Sequence, residues 1–563
     1  MPAKSKILNV LQQDEQLLRS LLKELPINEI IARLLINRGI RTSADAAVFL
    51  DAGLDKLCDP FLLPDMGRAV ALVRQSAAEK RKVMIFGDYD VDGVTAVSLL
   101  KERLSAMGME VYSSLPHRIK EGYGLNTNAV KEALERKVGL FITADCGINS
   151  VKEVGELRKK GIDVVVTDHH EPGEDPVSCA SALLNPKVKD CGYPFRELAG
   201  VGVAYKFCQA LAQDRLENEL DLVCLGTIAD VVPLNGENRI MVRHGLKRLG
   251  ETRRAGLKAL MKVSGLSGKK LSSHSVGFIL GPRINASGRM ASADISLSLL
   301  SCEDETEADS LAREIESFNR NRQRVESGIM EEAQALINSE VNFKEQNVIV
   351  VAKEGWHHGV LGIVAAKLTD RFHRPTILIS MGDKFCKGSG RSIRSFHLFN
   401  ALCECGDFLD DFGGHSHAAG LVISRENIFN FREKINDFAR SALNVEDLLP
   451  ALDVDMQLPL PAVTAGLVNE LRALEPFGAG NPEPLFLIRG LSLKGAPKLL
   501  KKDTLKFWAT DGSVTLPAIG FGMGFFLSSL ENCDSFDLVC RPEIDEWYGD
   551  DSVILHIKEI IFR

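Results

Sequence analysis

At 563 residues the chain exceeds what one hydrophobic core organises, since cores stop growing at about 250 to 300 residues, so three or four domains are expected. Apolar residues at 45% and charged residues at 26% exclude wholesale disorder and a polytopic membrane protein, and no apolar run approaches the roughly 18 residues that span a bilayer. A net charge of -8 argues against a protein that coats nucleic acid by bulk charge, and leaves room for a local basic groove.

The N-terminus, MPAKSKILNVLQQDEQLLRS, carries a charge every few residues and has neither an apolar h-region nor a small-residue cleavage site. No secretory signal is evident, and a cytoplasmic protein without a membrane partner is expected. Twelve cysteines are too dilute for a disulfide framework; no C-x-x-C pair occurs, and Cys403 and Cys405 are the closest two. Residues 1–80 read as a polar-amphipathic helical extension with a packing role.

From Lys82 the pattern changes. KVMIFG, EVYSSLP, VGLFITAD and IDVVVTDHH are short apolar runs separated by helical stretches such as VTAVSLLKERLSAMG. Strands alternating with helices of this length predict βαβ units and a parallel sheet with helices on both faces, where ligands sit beyond the carboxyl ends of the strands. Helical segments follow to about residue 300. The polar stretch from Glu303 to Glu340 then places Leu311, Ile315, Phe318, Val325, Ile329 and Leu336 near helical spacing, as a long connecting helix would. A second α/β pattern begins at NVIVVAKEGWHHGVLGIVAAKL and closes with GGHSHAAGLVIS. From about Asp453 five or so strand-like runs in ~110 residues suggest a small barrel or sandwich, an OB-fold being the natural candidate.

The expected strand ends collect the chemistry. DYDVDG sets Asp88, Asp90 and Asp92 at alternate positions after an apolar strand. Three crowded carboxylates raise each other's pKa, so a divalent cation is the economical partner; a solvated acidic loop is the alternative. A calcium loop is disfavoured because no Glu stands at its twelfth position. Asp145 in TADCG and the Asp168-His169-His170 triplet end two further strands. Adjacent histidines on a strand point to opposite faces, so one must lie past its end for both to share a site. Asp230 is an acid in an otherwise apolar helical run, where an unpaired charge is costly. Carboxylates with imidazole suit hard or borderline cations such as Mn²⁺ or Mg²⁺, and paired ions are a standard device for phosphodiester hydrolysis.

DYDVDG, TADCG, TDHH and GTIADVVPL, in this order, resemble the four motifs of the DHH phosphoesterase superfamily. LPHRIKEGYGL, GPRINASGRM, GWHHGVLGIVAAKL, GSGRSIRSFHL, GGHSHAAG and LEPFGAGNPEPLF narrow the resemblance to its RecJ family of single-stranded-DNA-specific 5′ to 3′ exonucleases, from about residue 60 to the C-terminus. His117 departs from the pattern, where Asn is expected in many relatives. The resemblance implies an α/β fold: a parallel-sheet DHH lobe (81–302) joined by a long helix (303–340) to a smaller α/β DHH-associated lobe (341–452), with a C-terminal OB-like β-barrel (453–563).

It also implies roles. Asp90, Asp92, Asp145, His169 and Asp230 would ligate two Mn²⁺ or Mg²⁺ ions, with Asp88 and His170 completing or polarising the site. Arg283 and Asn285 would reach the scissile phosphate, although by pattern alone Arg283 or Arg289 reads equally as a structural ion pair. Ser389 and Arg391 of GSGRS, with Arg118 from the first lobe, are candidates for a pocket that holds the 5′-terminal phosphate and so sets polarity; Gly414 and His415 belong to a similar close-approach loop. Trp356 fits either a base-stacking platform or a core residue at a lobe interface. In the last segment Lys501, Lys502 and Lys506 beside Trp508 read as a single-strand groove or as a solvated charged face.

The expected partner is single-stranded DNA with a 5′ end, and the family implies a RecQ-type helicase and a single-strand-binding protein beside a monomeric enzyme. A hydrolase of short oligonucleotides built on the same two lobes is the runner-up, and length argues against it. A decayed scaffold should have lost acidic ligands, yet every expected Asp and His is present. A nucleotide-driven motor fails because no G-x-x-x-x-G-K-[ST] occurs.

Overall fold

A computed structural model describes residues 6–118, 121–173, 176–545 and 552–563. Ile119 and Lys120 of the LPHRIKEGYGL motif therefore lie outside the described residues. The chain divides into two units, one holding residues 59–230 and 245–450 and the other residues 6–58, 231–244 and 451–563. The first strand, β1 (Ile7–Val10), belongs to the latter.

In the larger unit β2 (Val83–Gly87), β3 (Val111–Ser114), β4 (Leu140–Ala144), β5 (Asp163–Thr167) and β6 (Ala182–Leu184) form a wholly parallel sheet in the order β3-β2-β4-β5-β6. Every residue of β2 and β4 is buried, which explains why these strands read as continuous apolar runs rather than alternating ones. Met84, Phe86, Phe141 and Val164 of the sheet pack with Val130, Val154 and Leu157 from the helices Thr127–Glu135 and Val151–Lys159. The helix Val91–Ala106 starts where the Asp90 carboxylate accepts hydrogen bonds from the backbone N–H groups of Asp92 and Gly93, an N-cap placed at the end of a strand.

The helix Glu305–Glu340 runs 36 residues, about 54 Å at the usual rise. Its buried line is not quite the stripe expected from sequence. Ile315 and Ile329 are on it, but Leu311, Phe318, Val325 and Leu336 are only half-buried, and Ala308, Ala312, Ala333 and Ile337 take the contact positions together with Asn319, Arg322 and Glu326. Small residues let the neighbouring helices approach, and the three polar residues reach the interior as a bonded group: Arg322 donates to Glu326 at 2.6 Å and to Asn319 at 2.9 Å. Beyond it lie β7 (Ile349–Glu354), β8 (Thr376–Met381), β9 (Phe385–Arg391), β10 (Asp411–Gly414) and β11 (Ala418–Ser424), ordered β10-β11-β9-β8-β7. Only β7 and β8 pair in parallel there.

In the smaller unit β12 (Ala451–Val454) pairs in parallel with β1, and the helices Glu15–Glu24, Glu29–Asn37 and Ser43–Asp51 pack Leu21, Leu35 and Phe49 against Leu471, Leu474 and Phe486. The remaining strands are β13 (Met456–Gln457), β14 (Phe486–Leu493), β15 (Lys498–Leu500), β16 (Thr504–Thr510), β17 (Thr515–Gly520), β18 (Phe536–Ile544) and β19 (Val553–Phe562). A β14–β16 pairing links the ends of the run β14-β18-β19-β17-β16, giving the expected barrel-like OB architecture. Among the described residues no helix is long and apolar enough to cross a membrane.

Candidate metal centre and adjoining anion pocket

The carboxyl ends of β2, β4 and β5 deliver acids and histidines to one place. Asp88 follows β2, Asp145 follows β4 in a left-handed conformation (φ +62°), and His169 and His170 follow β5. Asp230 arrives from elsewhere in the sequence as the C-cap of the helix Leu220–Ala229. His169 Nε2 lies 3.2 Å from an Asp145 oxygen, 3.5 Å from Asp230 and 3.8 Å from Asp92. Three sets, Asp145-His169-His170, Asp92-His169-Asp230 and Asp88-Asp90-Asp145, each present ligand atoms within 4.8 Å of one another.

Two glycines permit this crowding. A Cβ on Gly93 would lie 2.4 Å from the Asp88 carbonyl oxygen, and one on Gly200 would lie 2.5 Å from Asp145 Oδ1. Without a side chain, Gly200 can donate its N–H to Asp92 at 2.6 Å, and Val201 donates to the other oxygen at 2.8 Å.

The electrostatics suit a cation. Burial, with neighbouring carboxylates adding to it, pushes Asp88, Asp92 and Asp145 well above the usual carboxylate range, and Asp230 is raised to about 7 by burial and then by Asp90. Burial and the adjacent His170 lower His169 to about 3, so it stands as a neutral imidazole able to offer a lone pair. Asp88 Oδ1, Asp145 Oδ1 and both ring nitrogens of His169 are buried without a hydrogen-bond partner. Buried polar atoms rarely stay unsatisfied. Hard oxygen donors with imidazole, orphaned and converging, fit Mn²⁺ or Mg²⁺.

Sequence reasoning assigned no role to two residues of this site. Asp168 is fully buried, accepts from the backbone of His169, His170 and Ile148, and lies 2.8 Å from His170 Nδ1. His170 is raised to about 9: burial opposes its charge, but the bond to Asp168 and the surrounding acids prevail. Tyr123 places its hydroxyl 3.0 Å from the same nitrogen. The signal for Asp168 was present in the TDHH motif, where a carboxylate directly before two histidines is placed to orient them.

Beside the acids lies a cluster of opposite sign. Arg118 stacks 4.7 Å from the ring centroid of Tyr89, the residue between Asp88 and Asp90. Arg391, at the end of β9, is lowered by burial and by Arg118, and Arg289 is lowered to about 9 by burial and then by Arg118, Arg322 and Arg391. Arg391 Nη1 reaches Ser389 Oγ at 3.4 Å, and a Cβ on Gly362 would lie 2.8 Å from Arg391 Nη2. Arg289 also donates to the Gly359 carbonyl at 2.8 Å. Guanidinium groups that disfavour one another's charge are prepared for an anion. Gly414 ends β10 and His415 follows it in the exposed turn to β11, whose first residue pairs with Arg391.

Other expected site residues are placed differently. Arg283 is engaged in an ion pair with Glu316 at 2.8 Å and donates to the Ile279 carbonyl at 2.7 Å, the structural alternative that its pattern left open. Asn285 is half-buried on the same helix, Gly281–Met290. Trp356 is 4% exposed among Ile329, Ala333 and Ile337, with Nε1 donating to Glu332 at 2.7 Å. It is a core residue and not a stacking platform, because its large apolar ring fills the contact with the long helix while its one donor is satisfied. In the other unit Lys501 and Lys502 occupy the β15–β16 turn, and Lys506 pairs with Lys498. Trp508 lies two residues along the face of Lys506 and is 49% exposed.

The comparisons agree with this architecture. The sequence model of the DHH family, N-terminal domain, matches residues 82–227, that of the DHHA1 domain residues 345–441, and that of the RecJ OB domain residues 454–559. The chain is 40% identical over 549 residues to the single-stranded-DNA-specific exonuclease RecJ of Bacillus subtilis (strain 168), covering 97% of this chain and 70% of that protein. With the protein of the same name from Dickeya dadantii (strain 3937) it shares 36% over 566 residues, covering 95% and 97%. The crystal structure of RecJ in complex with Mn²⁺ from Thermus thermophilus superposes with a TM-score of 0.85 at 28% identity, covering 99% of this chain and 80% of that one; its Mg²⁺ counterpart gives 0.79 at 26%, covering 99% and 78%. A DHH lobe, a DHHA1 lobe and an acid-histidine cluster at the strand ends define a member of the DHH class. More narrowly, the chain belongs to the RecJ family.

Proposed function

We propose that the chain is a single-stranded-DNA-specific exodeoxyribonuclease that removes nucleotides from the 5′ end, in recombination and repair, with two Mn²⁺ or Mg²⁺ ions. The observation that carries this reading is the juxtaposition of an orphaned acid-histidine cluster with a cluster of guanidinium groups across Tyr89.

Asp90, Asp92, Asp145, His169 and Asp230 would hold the ions, with Asp88 completing the set. Divalent ions there would lower the pKa of water and offset the charge that gathers on phosphorus. The chain's own groups do the positioning. Asp168 fixes the His170 ring from behind, and the Gly200 and Val201 amides hold both oxygens of Asp92 in one orientation. Arg118, Ser389, Arg391 and Arg289 would anchor the terminal phosphate, and an anchored end places the next phosphodiester over the acids, so the strand is cut from that end. Arg289 carries the phosphate contact that the sequence suggested for Arg283. Lys501, Lys502, Lys506 and Trp508 of the OB-like domain would track the strand further along.

The reading keeps 81–302 as the catalytic lobe, 341–452 as the substrate-binding lobe and 453–563 as the nucleic-acid-binding domain. Acting on chromosomal strands implies a cytoplasmic enzyme. It also calls for a helicase that opens duplex and a single-strand-binding protein that holds it open. One chain supplies every residue of both clusters, in keeping with a monomer.

The test compares strands ending in 5′-phosphate and 5′-hydroxyl. Arg391→Ala should raise KM for the phosphorylated strand by about 10- to 100-fold, in line with the loss of a charge-assisted bond, and bring the two substrates together. Equal discrimination before and after the substitution would remove the anchoring role.

A further inference from the structure

We infer that Phe278, backed by His274, is a stacking platform for an unpaired base of the strand being degraded; this deepens the exonuclease reading and rests on it. Phe278 is 73% exposed, an unusual position for so large an apolar ring, and it is not isolated: the His274 ring stacks on it at 4.7 Å with planes 25° apart. Phe278 belongs to a π-helical turn, Val276–Leu280, an irregularity frequent at functional sites.

The turn is held, not loose. Arg283 Nη1 donates to the Ile279 carbonyl at 2.7 Å, while its Nε donates to Glu316 of the long helix at 2.8 Å. Arg283, which the sequence left between a phosphate contact and a structural ion pair, thereby braces the segment that presents Phe278. Two of its glycines show what it packs against. A Cβ on Gly277 would meet Ile228 Cγ2 at 3.6 Å, and one on Gly281 would lie 3.4 Å from Ala229 Cβ and 4.0 Å from Val91 Cγ2. Ile228 and Ala229 lead directly into Asp230, and Val91 stands between Asp90 and Asp92. The turn that presents the ring pair thus packs on the two helices whose ends carry Asp90 and Asp230.

A base offers a π-face to such a ring only when its own stack is interrupted, so the platform favours single strands over duplex and is indifferent to sequence. Loss of one base stack on an aromatic is worth roughly a 5- to 100-fold change in binding. With 5′-phosphorylated single strands and Mn²⁺, Phe278→Ala should raise KM by that factor with kcat changed less than about threefold, and Phe278→Trp should restore it. Strands carrying an abasic site at each of the first few positions should, at one position, cost the wild type the same factor and Phe278→Ala nothing further. In the Asp90→Ala background, a 2-aminopurine at that position should be quenched on binding, and quenching should fall with Phe278→Ala. An unchanged KM in Phe278→Ala together with equal abasic sensitivity would overturn the platform. A wild type that leaves the strands uncut would instead overturn the exonuclease reading, and the aminopurine signal would still decide the stacking.

Discussion

Asp168 organises the loop that carries two imidazoles to the acid cluster. One of its oxygens receives the amides of His169 and His170 and lies against the ring of His170, and the other receives Ile148. It stays below the usual carboxylate range because, although burial raises it, the bond to and charge of His170 and the Ile148 N–H prevail. Asp168→Asn keeps the shape but removes the charge that favours the imidazolium and allows the wrong amide face to meet the ring. Partners of this kind cost about 10- to 100-fold in metal affinity or activity when replaced. A Mn²⁺ titration of hydrolysis should show the half-saturating concentration rising by that factor; an unchanged curve would leave Asp168 a purely structural residue. That Asp90, Asp92, Asp145, His169 and Asp230 come together was legible, because acids and histidines at the ends of successive parallel strands converge. The contacts of Asp168, Tyr123 and Arg289 were not, since each depends on the detailed geometry of the folded segments.

Among the elements, the long helix departs most from what periodicity suggested. An amphipathic stripe is expected to be apolar throughout, but Asn319, Arg322 and Glu326 occupy its middle, and Glu326 also pairs with Lys367 on the helix His358–Phe372. Apolar periodicity cannot reveal such a group, because polar residues buried in pairs look the same in sequence as solvated ones. Removing one partner of a buried pair costs about 3–5 kcal/mol, whereas replacing the pair by well-packed apolar residues is often neutral. Glu326→Ala should therefore lower stability by that amount in urea unfolding, and Arg322→Met with Glu326→Leu should recover most of it. Equal destabilisation by the single and double variants would show that the group contributes no coupling. Four strands of the parallel sheet were legible, β2, β4 and β5 as runs apolar on both faces, whereas the three-residue edge strand β6 is too short to leave a pattern. The pairing of β1 with β12 was not, because four residues of half-buried pattern carry no register signal of their own.

At the scale of the whole molecule, a chain of net charge -8 must bind a polyanion through local fields. The guanidinium cluster would supply one, and the β15–β16 hairpin, where Lys498 and Lys506 face across the strands and Lys501 and Lys502 sit in the turn, would supply another. Each phosphate contact contributes about 0.7 to the slope of log K against log salt for single strands. Neutralising Lys501, Lys502 and Lys506 together should flatten that slope by about 2, and an unchanged slope would mark the hairpin as a solvated face. The central claim is hydrolysis of single strands from the 5′ end by the acid-histidine cluster. It is tested most directly with 5′-labelled and 3′-labelled single-stranded DNA and short dinucleotides in Mn²⁺, using the wild type and Asp90→Ala. Early release of the 5′ label from long strands, lost in Asp90→Ala while strand binding persists, is the expected result. Early release of the 3′ label, hydrolysis confined to dinucleotides, or full activity in Asp90→Ala would contradict it.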